Sequence, residues 1–302
     1  MTLRMNDFAA RIGLLLIILV AAVVGLRSQQ SQGSAFLDFV SRRVEPASSK
    51  HTFGKFCPVD QSRFARKIFI EYGAMFVASS DVQLPTSCYF ADEAALLKFQ
   101  STLKTSSTTL DGVEIRLQAP AMASFLKVLD AARQLNVSIS PLDGSIAAAR
   151  SYSDSVSIWN SRFQPALVFW ASQRKIPQDD VDQMASMPLP KKVEKVIDWE
   201  TGGLLFGTGR RRSIFSSTAP PGTSQHLSLI AFDIAGKVTP LITALFNANG
   251  WFQTVRGDPD HFTYLGVFEG ELPKRGLKQI YYQGYRYWVP DLPDATSPNL
   301  QD

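Results

Sequence analysis

Few side chains in this 302-residue sequence can do chemistry beyond the common acids and bases, because it contains only three histidines, His51, His226 and His261. His51 lies in a polar stretch near the N-terminus and carries no expected role. The other two stand in strand-like segments, each close to carboxylates: Ser224-Gln-His226-Leu-Ser-Leu-Ile-Ala-Phe-Asp233, then Asp258-Pro-Asp-His261-Phe-Thr-Tyr264. Two histidines and one carboxylate are the minimum donor set of a catalytic zinc, with the fourth position open to water. The metal lowers the pKa of that water towards 7, and a neighbouring carboxylate takes its proton during attack on a carbonyl. The same residues also fit two structural histidines beside surface acids, and spacing alone leaves that alternative open. Non-haem iron oxygenases use the same donor types, but the histidine and acid there are two residues apart, whereas Asp233 follows His226 by seven. An odd spacing puts two side chains on opposite faces of a strand, so joint ligation requires a turn or bulge between them.

The segment Pro220-Pro-Gly-Thr-Ser224-Gln-His226…Ala231-Phe-Asp233-Ile resembles the Pro-Gly-x-Ser-x-His-x-x-Gly-x-Ala-x-Asp pattern of the zinc D-alanyl-D-alanine carboxypeptidase and dipeptidase family. That family includes the vancomycin-resistance enzymes and shares its fold with the Hedgehog signalling domain. Its second motif, Glu-x-x-His before an aromatic, is similar in spacing to Asp258-x-x-His261-Phe262, and its upstream Arg-Ser pair to Arg150-Ser151. The resemblance spans roughly residues 120–268. It implies zinc as cofactor, with His226, Asp233 and His261 as its ligands, Asp258 as the catalytic base, Arg150 meeting a substrate carboxylate and Ser224 hydrogen-bonding the substrate. A bidentate guanidinium suits the role given to Arg150. The reaction implied is hydrolysis of peptide bonds next to D-alanine in peptidoglycan stem peptides, trimming a terminal residue or cutting a cross-link. Three positions depart from the pattern: Leu229 replaces a glycine, Asp258 is one methylene shorter than glutamate, and Asp260 replaces a tryptophan and offers a rival base. Arg162 is a second candidate for the carboxylate. A non-catalytic wall-binding or scaffolding protein on the same fold is the alternative.

The elements that must position these residues are mixed. The sequence predicts a strand or bent hairpin arm over Ile68–Ala78, a helix capped by Asp92, and a strand at Val113–Leu117. An amphipathic helix comes next, carrying Met122, Phe125, Leu126 and Leu129, then a strand at Val137–Ser140. Ser153 or Asp154 opens a second long helix, and a proline-rich loop with short helical turns spans Ile176–Pro190. Strand-like segments then run from Ser213, including Ile230–Ile234 and Phe262–Val267, and end in an aromatic strand or hairpin at Ile280–Val289. Without regular βαβ alternation this is an α+β pattern: a small antiparallel sheet with flanking helices, preceded by an N-terminal hydrophobic helix. The organisation expected is a targeting segment over 1–27, a tether over 28–52, an accessory part over 53–118, a zinc peptidase core over 119–290 and a disordered tail over 291–302.

Arg4 and Arg11 precede an apolar run from Ile12 to Leu26, which fits a signal peptide or short signal anchor. The body is therefore expected outside the cytoplasm, periplasmic or at the cell surface, with the N-terminal segment as its membrane contact. Cys57 and Cys88 are free to pair or to stay as separate buried thiols. A net charge of +4 is too weak to argue for nucleic acid, and no nucleic-acid motif is present. The Arg210–Arg212 run could meet anionic polymer or lipid, and the tyrosines of 281–287 could stack on sugars, but a solvated loop and a half-buried edge strand are the simpler explanations.

Overall fold

The computed structural model describes residues 35–44 and 53–293. The apolar N-terminal run, His51 and most of the expected tail fall outside these residues. Among the described residues no helix is long and apolar enough to cross a membrane. The fold is mixed, as the α+β pattern anticipates, with small antiparallel sheets among helices.

Residues 35–44, within the stretch read as a tether, are helical (α1), and Phe36 and Val40 are fully buried. Gly276 lies so close that a Cβ there would meet the backbone of Phe36 at 2.3 Å. A one-turn helix, Phe53–Phe56 (α2), precedes Arg63–Tyr72 (α3) and a 3-10 turn at Gly73–Val77. The expected strand at Ile68–Ala78 is thus helical. Ser62 caps α3 by accepting from the Ala65 amide, and Phe64, Ala65, Ile68, Phe69 and Tyr72 form one buried helical face. The isoleucines and Gly73 suggest a bent strand, but Gly73 comes after the helix and lets the Phe69 ring approach.

Asp92 caps Glu93–Gln100 (α4), as expected. Thr105–Leu110 (β1) and Val113–Gln118 (β2) form a hairpin, and Ala119–Gln134 (α5) carries the anticipated apolar stripe. Val137–Ser140 is not a strand: pairing reaches only an isolated bridge between Pro141 and Ile234, because proline has no amide hydrogen to extend a ladder. Tyr152–Ser172 (α6) opens slightly earlier than expected, from a capping box between Ser151 and Asp154. The expected proline-rich loop contains two helices instead, Gln178–Met184 (α7) and the start of Leu189–Thr201 (α8). Pro177, Pro188 and Pro190 sit at their N-terminal ends, where a missing amide hydrogen breaks nothing.

The sheet that matters most orders Ala231–Asp233 (β3), Trp251–Phe252 (β4) and His261–Tyr264 (β5) as β3-β5-β4, all antiparallel. Pro240–Ala248 (α9) covers it, with Phe246 against Phe262 at 4.3 Å and Phe125 of α5 against Phe232 at 4.4 Å. Leu277–Tyr282 (β6) and Tyr285–Pro290 (β7) form the expected closing hairpin. One continuous buried cluster joins Phe64, Ile115, Phe125, Phe232 and Trp251, so the segment before residue 119 shares its core with the helices and strands after it.

Cys57 and Cys88 form a disulfide. It holds the segment leading to Phe90, whose amide donates to the Gly222 carbonyl at 2.8 Å. Closing a loop of 31 residues stabilises by about 4 kcal/mol. Replacing both cysteines by alanine should therefore lower the unfolding free energy by a matching amount, read as a lower midpoint in denaturant titration. An unchanged midpoint would show that the cross-link adds nothing.

Candidate metal centre

The strand-like reading of the segment before Asp233 does not hold at His226, which lies in a 3-10 turn, Gln225–Ser228. That turn ends at Leu229, which adopts φ 55° and ψ 38° before the chain enters β3. This left-handed residue is the break that the seven-residue spacing demands. Leu229 therefore takes the conformation that glycine adopts freely, while its side chain is fully buried. Glycine is indispensable at Gly222, where φ is 80° and a Cβ would stand 2.0 Å from the Phe90 carbonyl oxygen.

Register does the rest. In the β3–β5 pair Asp233 is directly opposite His261, which sets their Cβ atoms about 5 Å apart. Asp233 Oδ1 lies 2.8 Å from His261 Nδ1 and 3.1 Å from His226 Nε2, and the two imidazole nitrogens are 3.1 Å apart. All three residues are buried. The outer ring nitrogens have their own acceptors: His226 Nδ1 lies 3.3 Å from the Ala148 carbonyl oxygen, and His261 Nε2 lies 2.8 Å from Gln225 Oε1. In its neutral, metal-ligating form each imidazole would therefore carry its hydrogen on the outer nitrogen and present a lone pair on the inner one. Burial first, then the nearby Arg150 charge, pushes the His226 pKa down to about 4, so its imidazole is neutral at physiological pH. Burial works against the Asp233 carboxylate, but His226 and Arg150 overcome it and hold the group well below the usual range. A cation bound here would replace any proton that the two imidazoles share with the Asp233 carboxylate. The donor atoms of the three residues lie within 4.8 Å of one another, close enough together to hold a metal ion.

Gln225 is a site residue that residue types and spacing do not single out. Its amide nitrogen donates to the Tyr72 carbonyl at 2.9 Å, which orients its oxygen towards His261, Thr254 and Thr263. Its position immediately before His226 is the one signal in the sequence. Arg150 is placed otherwise than as a free carboxylate receptor: its Nε donates to the Ile146 carbonyl at 3.0 Å and its Nη2 pairs with Asp233 Oδ2. Ser224 lines the cleft above the cluster, and its hydroxyl has no hydrogen bond among the described residues.

Asp258 and Asp260 line that same cleft, which has a volume of about 530 Å³. Burial, then the charges of Asp233 and Asp260, raises the Asp258 pKa to about 6. Asp260 is raised as well, first by burial and then by Asp233, with Arg212 opposing. Asp258 accepts no hydrogen bond on its carboxylate among the described residues, which leaves it free to exchange a proton with a ligand in the cleft.

Removing an outer-sphere partner of a ligating histidine commonly weakens metal binding by about 10–100-fold. Gln225→Ala should do so, measured by competition with a chromogenic chelator, with thermal unfolding checked in parallel. Unchanged affinity in a folded variant would remove Gln225 from the site. No protein-family model, curated protein or solved structure matches this chain.

Proposed function

We propose that the chain is a zinc-dependent peptidase that hydrolyses peptide bonds next to D-alanine in peptidoglycan stem peptides, on a DD-peptidase-like, Hedgehog-like fold. The observation that carries the hydrolytic part is the grouping of three buried donor side chains, with acceptors behind both imidazoles, on a cleft that also holds a carboxyl group whose pKa is raised to about 6. The choice of D-alanine rests on the similarity of residues 220–234 and 258–262 to the motifs of that peptidase family. The export assignment is supported by the apolar run after Arg11 and by the Cys57–Cys88 disulfide, a bond that persists in oxidising compartments. The N-terminal segment would then tether the body to the membrane.

His226, Asp233 and His261 would hold the metal. When bound there, zinc would activate a water and polarise the scissile carbonyl. Asp258 accepts the proton from that water and returns it to the leaving amine, a task for which a pKa near the working pH is suited. Ser224 offers its hydroxyl to the substrate backbone from the cleft wall. Arg150 keeps Asp233 ionised and fixes the direction of its second oxygen. A wall-binding or scaffolding role is the second reading, favoured by Asp258: its shorter side chain makes no hydrogen bond to the cluster.

Full-length chain purified without chelators should contain about one zinc per molecule, lost in His226→Ala. It should release D-alanine from a stem pentapeptide, and Asp258→Asn should keep the metal while lowering kcat by roughly 10²–10⁴-fold. Absence of zinc from both proteins would sink the peptidase reading, and zinc without turnover would leave the binding role.

The pH dependence has a definite sign. Asp258 must be ionised to act as base, so kcat/KM falls as pH drops through its pKa. That value is about 6 in the cation-free protein, and a neighbouring dication draws it lower, because positive charge favours the carboxylate. The acid limb of the pH profile should therefore lie at or below pH 6. A limb above about 7 would point to a different base.

A further inference from the structure

The cleft extends well beyond the cluster. Along α6 it is lined by Ser157, Ile158, Ser161 and Arg162, whose spacing places them on one face of the helix. Loop residues Ser217 and Thr218 also line it. α6 starts beside Arg150 and reaches Arg162 ten residues after Tyr152, about 15 Å at 1.5 Å per residue. An extended peptide covers that distance in about four residues.

Charge is distributed unevenly along this path. Asp233, Asp258 and Asp260 gather at the cluster, together with Asp143, whose neighbour Leu142 donates its amide to the Asp233 carbonyl. The α6 wall carries Arg162, which is exposed and whose guanidinium is hydrogen-bonded, among the described residues, only to Ser161 Oγ at 3.0 Å. Arg150 is in the opposite situation, with its side chain 16% exposed and its Nε–Nη2 edge occupied by Ile146 and Asp233. Arg212 also lines the cleft but donates to the Gly257 carbonyl at 2.9 Å. Of these three arginines, Arg162 alone pairs with neither an acid nor a main-chain carbonyl.

We propose that the cleft takes an extended peptide rather than a lone dipeptide, and that Arg162 anchors a carboxylate carried three to four residues from the scissile bond. This rests on the hydrolytic reading of the cluster and defines the substrate it acts on. A free carboxylate at that distance occurs in stem peptides linked through the side chain of D-glutamate, because that linkage leaves the α-carboxyl group unblocked. Arg162 is thus a specificity residue and takes no part in the bond-breaking step.

The test compares two pentapeptides, L-Ala-D-isoglutamyl-L-Lys-D-Ala-D-Ala and its isoglutamine counterpart, in which only that carboxylate is amidated. With zinc-loaded full-length protein, kcat/KM should favour the carboxylate form by roughly fivefold, the scale of one exposed charge pair. The difference should lie mainly in KM and shrink as salt is added. Arg162→Gln should abolish the preference and Arg162→Lys should retain part of it. Equal rates in the wild type, or a preference that survives in Arg162→Gln, overturns the proposal. If neither peptide is cut, the hydrolytic reading fails, and calorimetric binding of the same pair to wild type and Arg162→Gln still decides the role of Arg162 by the same criterion.

Discussion

The site depends on the register of two short strands. Asp233 and His261 are 28 positions apart in the chain, and they meet only because β3 and β5 pair with these residues directly opposite. A slip of one residue would turn every side chain of either strand to the other face and dissolve the cluster. The packing around the pair resists such a slip. Phe232, next to Asp233 in β3, is wedged against Phe125, and Phe262, next to His261 in β5, packs closely on Phe246. A ring from a helix thus packs against the aromatic residue next to each member of the pair. The hydrophobic core holds the ligand geometry by fixing the phase of a strand.

Around that pair, polar groups settle where the protons sit. Gln225, held by Tyr72, and the Ala148 carbonyl each take a hydrogen from the outer side of an imidazole, which turns the lone pairs inward. Tyr72 belongs to α3, within the stretch expected to be an accessory part, and its hydroxyl also donates to the Phe215 carbonyl at 2.7 Å. The loop before His226 is held by Phe90, two residues beyond the disulfide. Tyr72 and Phe90 therefore support the centre from the segment before residue 119.

The amino-acid sequence made the donor set legible, because scarce histidines beside carboxylates stand out in a chain of ordinary composition. The mixed fold, the helix over α5, the Asp92 cap and the closing hairpin were legible from periodicity and turn residues. Positions where local preference yields to packing were not. Ile68 and Ile70 favour a strand, yet the Ser62 cap and a helical apolar face prevail. Pro177, Pro188 and Pro190 look like breakers and act as helix starters. Leu229 stood out only as the replacement of a glycine in the resembling pattern, and its residue type argued against the left-handed backbone it adopts. Gln225 was invisible for another reason: a glutamine acquires its role only from the partners the fold supplies.

The Arg150–Asp233 pair bears on the order in which the protein is assembled. A buried carboxylate without a counter-charge would oppose folding by several kcal/mol, so a centre built from ligands alone would need its cation in order to form. Here a guanidinium held by the Ile146 carbonyl neutralises Asp233 through the oxygen that faces away from the histidines. Folding then does not require a cation, and any cation that binds would meet a site already formed.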